Sequence, residues 1–194
     1  MVTIDQIKQL REEIGASPVE IKKALEESKG DVAKAKEILK ALGRKIAEKK
    51  ETREVKQGLI TSYVHPSSKV GVLLDIRCES DFVAKSNEFV SLAHEICLQI
   101  VAMKPLFVSE SDILEEFLDG ETKIYEEEIK DSGKPENIVK QILEGKLNKY
   151  KKSVSLMSQT WMKDDTKTIK NLVEEAVGKI GENIEVKRFS RYEI

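Results

Sequence analysis

The chain has little of what most chemistry is built from. Its 194 residues include two cysteines, Cys78 and Cys97, and two histidines, His65 and His94. Two cysteines are too few for a disulfide framework, and such usage fits a reducing compartment. Aromatic residues make up only 5%, so aliphatic side chains must fill most of the core. There is no excess of positive charge: 33 Lys and Arg face 35 Asp and Glu, for a net charge of −2. A protein that coats nucleic acid carries a basic surplus, so no direct nucleic-acid partner is expected. No apolar run approaches the ~20 residues that a membrane helix requires. The N-terminus has neither the apolar core of a signal peptide nor the acid-poor Arg/Ser pattern of a transit peptide. A soluble cytoplasmic protein without a membrane partner is expected.

Enzyme motifs are missing as well. Gly133-Lys134, Gly145-Lys146 and Gly178-Lys179 each lack the upstream glycine of a phosphate loop, and no G-x-G-x-x-G, H-E-x-x-H or G-x-S-x-G occurs. His94 and Cys97 share a helix face at i, i+3, but no further Cys or His completes a zinc site. No metal or cofactor is expected, and an interaction protein is favoured over an enzyme.

What is present is clear punctuation. Thr3 and Gln6 form a T-x-x-Q box ahead of Ile4, Ile7, Leu10 and Ile14, and Gly15 stops that helix. Ser17, Pro18 and Glu20 open a second helix with Ile21, Ala24 and Leu25 on its buried stripe. Gly30 ends it. Asp31 caps a third helix, whose face is Val32, Ala35, Ile38, Leu39 and Leu42 and whose end is expected at Gly43. The reading is therefore a three-helix module at 1–43, followed by a basic, solvated linker at 44–57 that is either irregular or helical. The stretch 44–56 holds six basic and three acidic residues.

From residue 58 the period changes to two. Leu59–Val64 and Val70–Ile76 alternate on either side of His65-Pro66-Ser67-Ser68-Lys69, which reads as an antiparallel hairpin. A helix is expected at 87–103, with Phe89, Leu92, Ala93, Ile96, Ile100 and Val101 on its face. Further helices are expected near 110–118, 121–131, 136–150 and 167–180, with Pro135 at the first position of the third. The stretch 111–146 carries eleven acids and five bases. Ile184–Phe189 alternates like a third strand. The fold class is α+β: a three-helix module, then a core at 58–194 with a three-stranded antiparallel sheet packed by helices.

The segment Arg77-Cys78-Glu79-Ser80-Asp81-Phe82-Val83-Ala84-Lys85 resembles the T-D-F-V signature of the elongation factor Ts family. Leu10–Ala16 with Lys22–Leu25, Gly30-Asp31, Asp164–Thr168, Lys179–Ile184 and Arg188-Phe189 match other parts of that family, in order, from about residue 3 to 194. The resemblance implies a guanine nucleotide exchange factor for the translational GTPase elongation factor Tu. Such a factor binds the GDP complex, disturbs its magnesium site and speeds GDP release during chain elongation, with no cofactor of its own. The magnesium-disturbing residues would be Asp81 and Phe82, with Ser80 and Val83 positioning them. Ser80 stands where the family usually has Thr, and both keep a capping hydroxyl. From the residues alone, Phe82 reads instead as a core residue opening the next helix.

The resemblance also implies a ubiquitin-associated-like fold for the N-terminal module. It would dock on the partner through the loop Gly15–Val19, with Pro18 and Val19 where many members have two methionines and with Arg11 and Lys22 as polar neighbours. The chain is a short form of the family, and a homodimer through its sheet or C-terminal region is expected to compensate. Two rivals stand beside this reading: an adaptor built on the N-terminal module, and an RNA-binding protein using residues 44–56. The first leaves Ser80–Val83 unexplained, and the second lacks aromatics for base stacking.

Overall fold

The computed structural model describes residues 2–130 and 135–194. The chain opens with α1 (Ile4–Ile14), α2 (Pro18–Glu27) and α3 (Val32–Lys50). The caps are those the sequence marks. Thr3 Oγ1 accepts from the Gln6 N–H at 3.2 Å while Gln6 Oε1 accepts from the Thr3 N–H at 3.0 Å. Ser17 and Glu20 repeat that exchange, and Asp31 accepts from the N–H groups of Ala33 and Lys34. Gly15 closes α1 in the left-handed conformation that glycine adopts without steric cost. Leu10, Ile21, Ala24, Leu25, Ala35 and Leu39 form a small separate core between the three helices.

The helix end expected at Gly43 is not there. α3 continues to Lys50, through the first half of the stretch expected to be a linker. Gly43 has another use. α3 packs along α8 (Ile169–Ile180), and a Cβ built on Gly178 would lie 3.3 Å from the Gly43 Cα. Two glycines let the helices approach closely at that point. Beyond it, Ala47 joins the large core, so α3 contributes to both cores.

β1 (Gln57–Val64) and β2 (Val70–Cys78) form the expected hairpin, and β5 (Ile184–Glu193) adds a third antiparallel strand in the order β1-β2-β5. A bulge at Asp75/Ile76 leaves Lys187 without an opposite residue. Val72, Leu74, Ile76, Ile184 and Val186 face inward onto α5 (Asn87–Met103) and α8, through Phe89, Leu92, Ala93, Ile96, Ile100, Val173 and Val177.

On the other side of β2, Asp75 is buried although its face is open. Arg77 covers it with two donors, Nε at 3.0 Å and Nη2 at 3.1 Å, and Arg188 Nε adds a third at 3.3 Å. The Arg77 hydrogen bonds, then the charges of both arginines, hold the Asp75 carboxyl below its ordinary value, against the opposing cost of burial. A carboxyl with a lowered pKa in the fold contributes stability that is complete above the unfolded value, about 4, and is lost as pH falls through the folded value. Urea midpoints measured down a pH series should therefore fall below about pH 4. Asp75→Asn should flatten that fall; a slope identical in both chains would remove Asp75 from the cause.

The remaining elements partly follow the sequence reading. The helices expected at 110–118 and 121–131 are one helix, α6 (Glu115–Lys130), which runs through Gly120 after a short 3-10 turn at Glu110–Asp112. Residue 131, the expected end of the second of these helices, and Gly133-Lys134 lie outside the described residues. α7 (Glu136–Val154) starts one residue after Pro135, which is its N-cap and not its first helical residue. A two-stranded hairpin, β3 (Thr160–Trp161) and β4 (Asp164–Thr168), precedes α8 and has no counterpart in the expected elements. Fully buried Gln99 holds it to α5: its Nε2 donates to the Thr160 carbonyl at 3.0 Å, and its Oε1 accepts from the Met162 N–H at 2.9 Å. Among the described residues, no helix is long and apolar enough to cross a membrane.

Candidate functional site

The signature segment forms the corner between the sheet and α5. β2 ends at Cys78, and α4 (Asp81–Ala84) is a single helical turn. Ser80 has extended backbone angles, and its Oγ accepts from the Val83 N–H at 3.3 Å. Six residues later Ser86 does the same for α5, accepting from the Phe89 N–H at 3.3 Å while its hydroxyl donates to the Val83 carbonyl at 2.8 Å. Two serine caps within seven residues make a tight corner, each satisfying one of the N–H groups that a helix start leaves open.

Counting from each cap explains where the side chains go. Val83 stands third in α4 and Phe89 third in α5, and both are buried. Phe82 and Glu88 stand second, about 100° earlier around the helix, and both face outward. Phe82 is 85% exposed. The local sequences Asp81-Phe82-Val83 and Glu88-Phe89-Val90 are nearly alike, yet one position relative to the cap reverses the fate of the phenylalanine. The reading of Phe82 as a core residue is thereby overturned.

Asp81 is exposed beside Phe82 and pairs with Lys85, Nζ to Oδ2 2.6 Å. Held in water, that pair contributes little to stability. Ser80 is anchored from across the chain. Its N–H and hydroxyl both donate to the carboxylate of Glu182, at 2.8 and 2.6 Å. In the sequence Glu182 is marked only as part of the matching segment Lys179–Ile184. Burial first, and then the charge of Glu182, push the Cys78 thiol up to about 11, and burial does the same for Cys97. Neither is a reactive thiolate near neutral pH. His94 is exposed, with its ring edge-on to Tyr63 at 5.6 Å, whereas Cys97 is buried. Among the described residues, no group of three or more His, Cys, Asp or Glu is arranged to hold a metal ion.

The N-terminal candidates stand apart from this corner in sequence. Arg11, Pro18, Val19 and Lys22 are all exposed, and Lys22 lies 3.8 Å from Glu26. Gly15, at the base of the same loop, is covered by the Lys179 side chain of α8. A cleft of about 580 Å³ lies between the N-terminal helices and the core, lined by residues such as Ile14, Leu42, Ile46, Leu92 and Leu172. None of Ser80–Val83 lines it. On the signature segment the aromatic ring of Phe82 and the carboxylate of Asp81 both face solvent.

Phe82 thus stands exposed on a one-turn helix that Ser80 caps and Glu182 anchors at its base. The family described as Elongation factor TS matches residues 4–194. Elongation factor Ts of Thermotoga petrophila is 51% identical over 193 residues, covering 100% of this chain and 96% of the relative. Those of Coprothermobacter proteolyticus and Rubrobacter xylanophilus are each 47% identical over 191 residues, covering 98% of this chain and 97% and 98% of the relatives. The chain belongs to the elongation factor Ts family, whose members act in translation elongation.

Proposed function

We propose that this chain is the guanine nucleotide exchange factor of elongation factor Tu. On this reading it is not an enzyme: it binds the GDP complex, weakens the hold on magnesium and GDP, and leaves once GTP can enter. The observation that carries the reading is Phe82, 85% exposed on an anchored turn. A phenylalanine left in water forgoes about 1.5–3 kcal/mol of burial, which docking would recover. It is rigid, so little rotamer entropy is lost as it enters a partner. Magnesium demands near-ideal octahedral geometry, so a small displacement of its ligands suffices to weaken it. Asp81 supplies a carboxylate for donors exposed as the ring enters, and Ser80 and Val83 hold the turn. The three-helix unit acts as a second contact, ubiquitin-associated-like, through Pro18 and Val19 with Arg11 and Lys22 beside them; its third helix, running on to Lys50, and the residues up to 57 join it to the core at 58–194.

The test is release of fluorescent GDP from elongation factor Tu. Adding this chain should accelerate release severalfold or more and saturably. A chain that binds the GTPase without changing the release rate would overturn the reading.

A homodimer belongs to the same proposal. Ile60, Val64, Leu73 and Tyr192 are exposed on the outer face of the sheet, where Val64, Gly71 and Tyr192 lie side by side across the three strands. These apolar side chains run diagonally across the face beside Ser62, Ser190 and the Asp75–Arg77–Arg188 cluster; exposed apolar side chains grouped on one face favour a partner, and a second copy offers the same face. Light scattering at low concentration should report twice the 22.0 kDa of one chain, and Leu73→Glu should return it to the monomer mass; a monomer throughout removes the dimer.

A further inference from the structure

We infer that Glu182 and Asn183, in the turn between α8 and β5, are positioning residues that set where Phe82 stands relative to the N-terminal helices. The inference rests on the exchange reading above and adds to it the residues that aim the ring.

A one-turn helix cannot hold itself, because forming the first turn fixes many dihedral angles for a single hydrogen bond. α4 needs an outside anchor, and Glu182 is that anchor. The Ser80 hydroxyl has one proton, and it goes to Glu182 Oε1 at 2.6 Å. Its lone pairs are then turned toward α4, where the Val83 N–H is received at 3.3 Å. The second carboxylate oxygen takes the Ser80 N–H at 2.8 Å. Both bonds to Glu182 are charge-assisted, the stronger kind.

The neighbouring residue extends the joint. Asn183 is 8% exposed. Its N–H donates to Glu79 Oε1 at 2.6 Å, and its side-chain amide donates to the carbonyls of Glu51 at 3.3 Å and Arg53 at 2.8 Å, just past the end of α3. Arg53 pairs with the other Glu79 oxygen at 3.5 Å, and Lys50 Nζ donates to the Gly181 carbonyl. One turn therefore grips both the segment that carries Phe82 and the end of the helix that carries the N-terminal module. Two contact elements must meet one partner together, so the angle between them is part of the fit.

The test uses the full chain and fluorescent GDP on elongation factor Tu, titrated to saturation, with unfolding followed in parallel. Glu182→Ala should lower the saturating release rate about tenfold, while the half-saturating concentration moves no more than about twofold. Glu182→Gln keeps one acceptor for Ser80 and should lose only about threefold. Ser80→Ala should lose about as much as Glu182→Ala, and the double variant no more than the worse single one, because both break one unit. A Glu182→Ala chain that melts earlier but exchanges at the wild-type saturating rate overturns the inference, as do losses that multiply in the double variant. If Glu182→Ala does not fold, Glu182→Gln decides: an unchanged saturating rate overturns the inference, and the partial loss supports it. A wild-type chain that fails to speed release overturns the exchange reading itself, which the variants alone cannot do.

Discussion

Phe82→Ala should cut the saturating rate of GDP release from elongation factor Tu about a hundredfold and leave the urea midpoint of the chain where it was. The two halves of that expectation come from one fact. Phe82 is 85% exposed and is absent from both hydrophobic cores, so the fold loses no packing when the ring is removed. The proposed complex loses its central anchor. Truncating an aromatic hot spot costs about 2–4 kcal/mol of interaction, and about 2.7 kcal/mol is a hundredfold in rate. Stopped-flow release with saturating factor, beside urea unfolding of the same preparation, measures both. A variant that exchanges normally but unfolds early would show that Phe82 supports the fold and does not act on the partner.

Phe89→Ala should do the opposite. Phe89 is fully buried among Leu74, Ile76, Ile96 and Ile100 in the main core. Removing a buried phenylalanine leaves a cavity and costs about 3–5 kcal/mol. That is a large share of the ~5–15 kcal/mol by which a domain is stable. Urea unfolding should show a midpoint lower by an amount corresponding to that loss, with little change in slope. Exchange by the fraction still folded should be near normal at low temperature. An unchanged midpoint would mean that the core closes over the missing ring.

These two phenylalanines also mark how far the sequence could be read. Both sit in an acid-Phe-Val triplet, and periodicity alone assigns both to a core. Their difference lies in the distance from the capping serine, two residues for Phe82 and three for Phe89, and that count was available in the sequence. The capped helices, the hairpin and the third strand were legible for the same reason: their signals are local, a box of side chains or an alternation. Gly43 was misread because a glycine that ends a helix and a glycine that admits a neighbouring helix look the same until α8 is in place. The β3–β4 hairpin was not legible because its support is Gln99, a polar residue buried in a distant helix. Glu182 was not legible as the partner of Ser80 because 102 positions separate them and only the folded sheet brings them together.

Exchange is finally a matter of coupling, and coupling works in both directions. If this chain weakens GDP on elongation factor Tu, GDP must weaken this chain by the same factor. The most direct measurement is the affinity of elongation factor Tu for GDP with and without saturating amounts of this chain, and the affinity for this chain with and without GDP. The expected result is one large factor obtained from both sides, about a thousandfold for a coupling of ~4 kcal/mol. GDP binding that is equally tight with this chain bound would contradict the account, however tightly the two proteins associate.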